Sequence, residues 1–296
     1  MPLRRTLMAV LAVTLLGACG QGGERTAAGA GEGARPEKLT FGIGPYLPTA
    51  DDTKAGFEPF FAHVAEQLGV DYELQVASDF AGIAVALANG KVDVAWLGPY
   101  GFVLANNDSD ARAIATVEYD GKPTYHAIVV AAPDSPVTNW PDDAQGRSMS
   151  FAEVASTSGW LIPTHFLAQR GIDPKTYFQY SEGAAHPANE VAVATGRVEL
   201  ATDYDRNRNA MIESGALDEG ATKVVWQSEP LPNDAIAVRP GFDPELARRI
   251  QEILDAMPAD QAESLLPEHY TGFTPATDDS YRSIRDAAVS LGQLDR

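Results

Sequence analysis

A single cysteine in 296 residues rules out an intramolecular disulfide, a cysteine metal site and thiolate chemistry in the folded part. Positive charge is scarce too: 22 Lys and Arg face 41 Asp and Glu, a formal net charge of −19. Nucleic-acid binders carry the opposite sign, so no nucleic-acid partner is expected. Past residue 16 no run is apolar enough to cross a bilayer. His63, His165 and His269 lack metal-ligand spacing, and neither a metal nor a cofactor is expected. There is also no Gly-x-Ser-x-Gly elbow of the kind that presents a hydrolase nucleophile.

The first residues pair Arg4 and Arg5 with an apolar run over 7–16, then Leu16-Gly17-Ala18-Cys19. A basic head, a short apolar core and small residues at a cut site describe a secretory signal peptide over 1–18. Cys19 directly after Leu-Gly-Ala resembles the lipobox of bacterial lipoproteins, which implies cleavage before Cys19 and its lipidation. An ordinary secreted protein with an incidental cysteine is the alternative. Residues 20–36 are mostly Gly, Ala, Glu and Arg with no face to bury, so 19–37 is expected to be a flexible tether. The membrane would then be reached through the lipid anchor alone.

The rest alternates short β patterns with helical ones. Strands are expected over 39–43, 72–76 and 92–97, and helices over 56–68 and 80–89, with Pro99 opening the next helix. This alternation argues for α/β layers around mainly parallel sheets. Residues 86–95 are echoed by 192–201: each is a helix end, a glycine turn, a basic residue and a short strand. Two similar lobes facing one cleft is the economical reading, although such turns are common in α/β proteins. Turn-rich stretches at 133–136 and 230–234 read as the crossings. Lobe 1 is therefore expected over 38–132 plus 230–296 and lobe 2 over 133–229, with helices over 244–257 and 279–291 returning to lobe 1.

The most informative segment is 150–163, a strand running into Ser156-Thr157-Ser158-Gly159 where a helix should begin. The first N–H groups of a helix lack internal partners, and hydroxyls beside them add donors aimed the same way. An N-cap needs one hydroxyl. Three in a row suggest a cradle for a tetrahedral oxyanion. The chain's overall negativity repels anions at long range, so such a ligand would have to be held by local donors.

Asp79-Phe80-Ala81-Gly82-Ile83, the 92–98 strand, the strand at Tyr125, Ser156-Thr157-Ser158-Gly159, the 186–202 block and Asp234 together resemble the periplasmic phosphonate-binding proteins of ABC importers, the PhnD type, with the related phosphite and hypophosphite binders. The likeness runs from Leu39 to about Phe273. It implies a two-lobed, hinge-closing periplasmic binding protein of type II, monomeric, with a phosphorus oxyanion buried between the lobes and an ABC permease as partner. It also implies that Ser156, Thr157, Ser158, His186 and Tyr125 meet the phosphonate oxygens. Phe80 stands where a second tyrosine is usual, and Tyr46 is a candidate replacement. The family's amine end is held by two carboxylates. Asp234 matches one, whereas Arg206 reverses the sign at the other, with Asp203 and Asp205 nearby. Arg206 would suit a far end that is neutral or negative.

Two other readings stay open on sequence. A hydrolase could use Ser156 or Ser158 with His186 and Asp234. The same fold could serve as a sensor's binding partner or take a different small anion or metabolite. Trp96 and Trp160 are expected in the core.

Overall fold

The computed structural model describes residues 36–47 and 49–295. The expected signal peptide, Cys19 and nearly all of the tether lie outside the described residues. In chain order the first part is β1 (Lys38–Ile43), α1 (Ala50–Leu68), β2 (Asp71–Val76), α2 (Phe80–Ala88), β3 (Val94–Leu97), α3 (Pro99–Asp108) and β4 (Arg112–Tyr119). After the short β5 (Thr124–Tyr125) come β6 (Ala127–Ala131), β7 (Ser148–Ala152), a π-helical turn over Thr157–Leu161, α4 (Ile162–Ala168) and α5 (Pro174–Tyr177). There follow β8 (Gln179–Ala184), α6 (His186–Ala194), β9 (Leu200–Tyr204), α7 (Asp205–Glu213) and β10 (Lys223–Gln227). The chain ends with β11 (Leu231–Pro232), β12 (Ala235–Val238), α8 (Pro244–Asp255), α9 (Ala259–Leu265), β13 (Tyr270–Pro275) and α10 (Arg282–Ser290).

Six strands form one sheet in the order β13-β4-β12-β3-β1-β2, and five form a second, β10-β6-β9-β7-β8. Each sheet is the floor of a lobe. The strand over Ala127–Ala131, expected with the first lobe, stands in the second sheet between β9 and β10. The crossing therefore falls at β5, well before the turn-rich 133–136. There, extended chain pairs antiparallel with the returning β11, Tyr125 opposite Leu231 and Thr124 opposite Pro232. β5 crosses as extended chain with its backbone bonded and no turn signal of its own, whereas the returning β11 falls within the turn-rich 230–234. The parallel share is also smaller than expected. The first sheet has two parallel and three antiparallel pairings, the second two of each, because strands that return across the hinge enter in reverse.

Strand periodicity divides the cores. In β3, Val94 and Trp96 face a core shared with α1, α8 and α9, while Ala95 and Leu97 face one shared with α2, α3 and α10. In β6, Val129 and Ala131 face one side of the second sheet, and Ile128 and Val130 the other. Burial on both faces explains why these strands read as continuous apolar runs. The echoed segments occupy matching places, α2 to β3 in one lobe and α6 to β9 in the other. Gly90 and Gly196 turn them at φ 67 and 69, a left-handed backbone that favours glycine. Among the described residues no helix is long and apolar enough to cross a membrane.

Candidate functional site

A cavity of about 610 Å³ lies between the lobes, within the size range of small-molecule sites. Its wall is built from places where a strand hands over to a helix. Asp79 and Phe80 follow β2, Gly98 and Pro99 follow β3, residues 156–158 follow β7, His186 and Pro187 follow β8, and Arg206 and Asn207 follow β9. Ligands bind at strand carboxyl ends in such sheets, and the positive helix starts there favour an anion.

These helix starts are not equally free. The start of α2 is taken by two carboxylates: Gly82 N donates to Asp79 Oδ1 at 2.6 Å and Phe80 N to Glu153 Oε1 at 3.2 Å. By contrast α3, α6 and α7 have no side-chain cap. Of their first N–H groups, Tyr100 N is taken by Thr157 Oγ1 and Arg206 N by Asp205 Oδ1, and the remaining ones are left for a ligand.

The hydroxyl cluster sits where the sequence places it. Ser156 caps its helix by accepting from Gly159 N at 3.1 Å, and its Oγ lies 3.0 Å from His186 Nε2. Thr157 Oγ1 accepts Tyr100 N from the opposite lobe at 2.8 Å, which leaves its own proton to give. Ser158 and Tyr125 line the same cavity. Thr202 pins the turn from below, donating to Gly159 O at 2.6 Å and accepting Ala152 N at 3.1 Å.

Behind His186 stands a buried relay. Nδ1 lies 3.0 Å from Asp203 Oδ1, and Asn207 Nδ2 donates to both Asp203 oxygens at 3.0 and 2.8 Å. With the proton on Nδ1, His186 donates to Asp203 and Nε2 accepts from the Ser156 hydroxyl. Burial drives the imidazole down to about 4, so it is neutral near pH 7. Glu190, fully buried, is pushed up to about 8 by burial and by the neighbouring Asp203. It therefore keeps its proton near neutral pH. Its Oε1, without a partner as an acceptor, is then a donor to Asp203. Burial raises Asp203 as well, to about 7, yet with three donors around it this is the carboxylate that holds the charge.

Nine expected residues line the cavity: Ser156, Thr157, Ser158, Tyr125, His186, Asp234, Tyr46, Phe80 and Arg206. Asp203 and Asp205 do not. Asp203 is entirely buried behind the histidine, and Asp205 turns back to accept the Arg206 N–H at 2.9 Å. Nor does Asp234 stand behind His186, as a nucleophile set would need. Its Oδ2 accepts Trp96 Nε1 at 3.1 Å and lies 4.0 Å from Arg206 Nη2. Trp96 is fully buried in the core, as expected; Trp160 is only partly buried and lies off the cavity. Tyr46 meets Phe80 edge to face at 5.4 Å, and its hydroxyl is buried without a partner.

Glu153, Tyr204, Asn207 and Glu190 were not anticipated. Tyr204 and Asn207 follow from the strand-end rule applied to β9. Glu190 lies four residues after His186 and so shares its helix face. Glu153 carries no local signal, since its partner is Phe80 in the other lobe. Among the described residues no group of three or more His, Cys, Asp or Glu is arranged to hold a metal.

The family described as "ABC transporter, phosphonate, periplasmic substrate-binding protein" matches residues 41–281. The chain is 26% identical to the "Phosphate-import protein PhnD" of Mycolicibacterium smegmatis, covering 96% of this chain and 95% of that protein. It is 30% identical to the "Phosphonates-binding periplasmic protein" of Escherichia coli over 68% of this chain and 60% of that one. Among solved structures, a binding protein component of an ABC phosphonate transporter from Pseudomonas aeruginosa aligns with a TM-score of 0.75 at 25% identity, over 86% of both chains. A PhnD protein of Prochlorococcus marinus in complex with methylphosphonate aligns with a TM-score of 0.77 at 16% identity, over 87% of this chain and 99% of that one, a likeness of fold. Ser156 thus serves as a helix cap inside a binding cleft, and a hydrolase reading is set aside because the family's members are non-enzymatic transport components. The chain belongs to the periplasmic substrate-binding proteins of phosphonate-type ABC transporters.

Proposed function

We propose that the interlobe cavity captures a small phosphorus oxyanion, of the phosphonate, phosphite or methylphosphonate class, and delivers it to an ABC permease. One observation carries this reading: Ser156, Thr157, Ser158 and His186 converge on one wall of a cavity beside three helix starts that lack side-chain caps. A tetrahedral anion needs many donors in a dry cleft, because an unpaired buried charge costs several kcal/mol. Tyr125 adds a hydroxyl, and Tyr46 supplies the one that Phe80 lacks. The printed names of the Mycolicibacterium and Escherichia relatives, and the methylphosphonate in the Prochlorococcus complex, support the same ligand class. In this reading residues 1–18 are removed and Cys19 carries the lipid. Residues 19–37 tether a monomer to the membrane in the periplasm or its extracytoplasmic equivalent.

Closure is already advanced in this arrangement. Tyr100 N to Thr157, Phe80 N to Glu153 and Glu213 Oε2 to His269 Nε2, at 2.8, 3.2 and 2.6 Å, all join one lobe to the other. Release requires breaking them.

Calorimetric titration with phosphate, methylphosphonate, phosphite and sulfate tests the proposal. One phosphorus oxyanion is expected to bind far more tightly than sulfate. The same titration in two buffers of different ionisation heat is expected to show proton uptake, since His186, neutral in the free site, charges beside the anion. A group whose pKa rises on binding contributes affinity that fades as pH rises through the bound-state value. Equal affinity for sulfate and for every phosphorus oxyanion would count against the reading.

A further inference from the structure

Arg206, the second residue of α7, lines the cavity and is only 8% exposed. Its guanidinium makes no hydrogen bond to any described group. Nε and Nη1 are buried without partners, and the Asp234 carboxylate is 4.0 Å from Nη2, beyond hydrogen-bond reach. Asp234 balances the charge at that distance without a hydrogen bond, and ring faces add to it, with Cζ 4.9 Å from Tyr119, 4.9 Å from Tyr125 and 5.6 Å from Tyr204. An arginine offers five N–H donors in a planar fork, and burying them unused is unfavourable. Each nearby carboxylate already has another partner. Asp234 Oδ2 takes the Trp96 N–H, Asp205 takes the Arg206 backbone N–H, and Asp203 takes Asn207 and His186.

We infer that Arg206 is the subsite for a second acidic group on the ligand, so that the cavity prefers a short phosphonocarboxylate with its phosphorus end at Ser156–Thr157–Ser158 and its carboxylate at the guanidinium. Tyr125 lines the wall beside Thr157 and Ser158 while its ring lies 4.9 Å from Arg206 Cζ, so it stands between the two ends. Linkers of one or two methylenes are the short members of this class and are the ones to test. An ammonium at the same place would face a like charge, which disfavours an aminophosphonate. The inference rests on the proposed phosphorus-oxyanion function.

The test is titration of the wild-type protein, Arg206→Gln and the Arg206→Gln/Asp234→Asn double variant with methylphosphonate, phosphonoacetate, 3-phosphonopropionate and 2-aminoethylphosphonate. The double variant removes both charges, so that no buried carboxylate is left unmatched. The readout is the ratio of affinities within each protein, from which a partial folding defect cancels. In wild type a carboxylate-bearing ligand is expected to bind about tenfold or more tighter than methylphosphonate, from a charge-assisted pair, and 2-aminoethylphosphonate more weakly than either. In both variants the carboxylate advantage is expected to fall to about one. If methylphosphonate binds and the carboxylates gain nothing, or if their advantage survives in both variants, the Arg206 subsite is wrong while the wider proposal stands. If none of the four binds wild type while phosphite or phosphate does, the Arg206 subsite is likewise wrong and the wider proposal stands; if phosphite and phosphate fail too, the phosphorus-oxyanion function fails and this inference with it.

Discussion

Replacing Ser156 and Thr157 together by alanine is expected to weaken phosphorus-oxyanion binding by at least about a hundredfold. Each hydrogen bond to a charged group is worth about 1.5–3 kcal/mol, and every 1.4 kcal/mol is tenfold in affinity. The two hydroxyls also do structural work. Ser156 caps its helix through Gly159 N and holds His186 Nε2, while Thr157 accepts Tyr100 N across the cleft. Losing the cap alone costs about 1 kcal/mol of stability, so the variant should melt earlier yet remain folded. Calorimetry paired with a thermal melt separates the two effects. A folded double variant that binds within about fivefold of wild type would remove these hydroxyls from the site.

Gly159→Ala is expected to abolish binding without replacing any ligand-facing polar group. A Cβ at this position would lie 2.3 Å from Ala152 Cβ and 2.7 Å from His186 Cε1, and 3.0 Å from Ser156 Oγ. Both Ala152, in β7, and His186, at the start of α6, are held by their own elements, so the turn itself must move. Overpacking of this kind costs about 1–3 kcal/mol of stability. The larger consequence is at the site, because the displaced turn carries Ser156 away from His186 and breaks the relay back to Asp203. The check is a titration together with the imidazole resonance of His186. A variant that binds like wild type, with that resonance unshifted, would mean the turn tolerates a methyl group and the packing described is not what positions the site.

Much of this was legible before any coordinates. Three hydroxyls after a strand marked a helix start that lines the interlobe cavity, and the glycine turns at Gly90 and Gly196 marked the repeated helix-to-strand unit. Both signals are local, set by helix-end chemistry and by backbone handedness. What could not be read depends on pairing over long separations. Asp203, Asp205 and Asp234 looked equivalent in so acidic a chain. Their different roles follow from β9 running beside β6 and β7, which buries Asp203 behind His186, and from Trp96, far away in sequence, fixing Asp234. The first lobe boundary was misplaced because β5 crosses as extended chain with no turn signal, while the returning β11 lies within the turn-rich 230–234. Glu153 was silent because its hydrogen bond is made only once the lobes meet.

The position of the phosphorus atom in a crystal grown with methylphosphonate tests the central claim most directly. The account predicts oxygens of the ligand about 2.6–3.1 Å from the Ser156, Thr157 and Ser158 hydroxyls and from His186 Nε2, with both lobes closed over it. A phosphonate seated elsewhere on the molecule, or bound between the lobes while those four groups keep only their present partners, would contradict it.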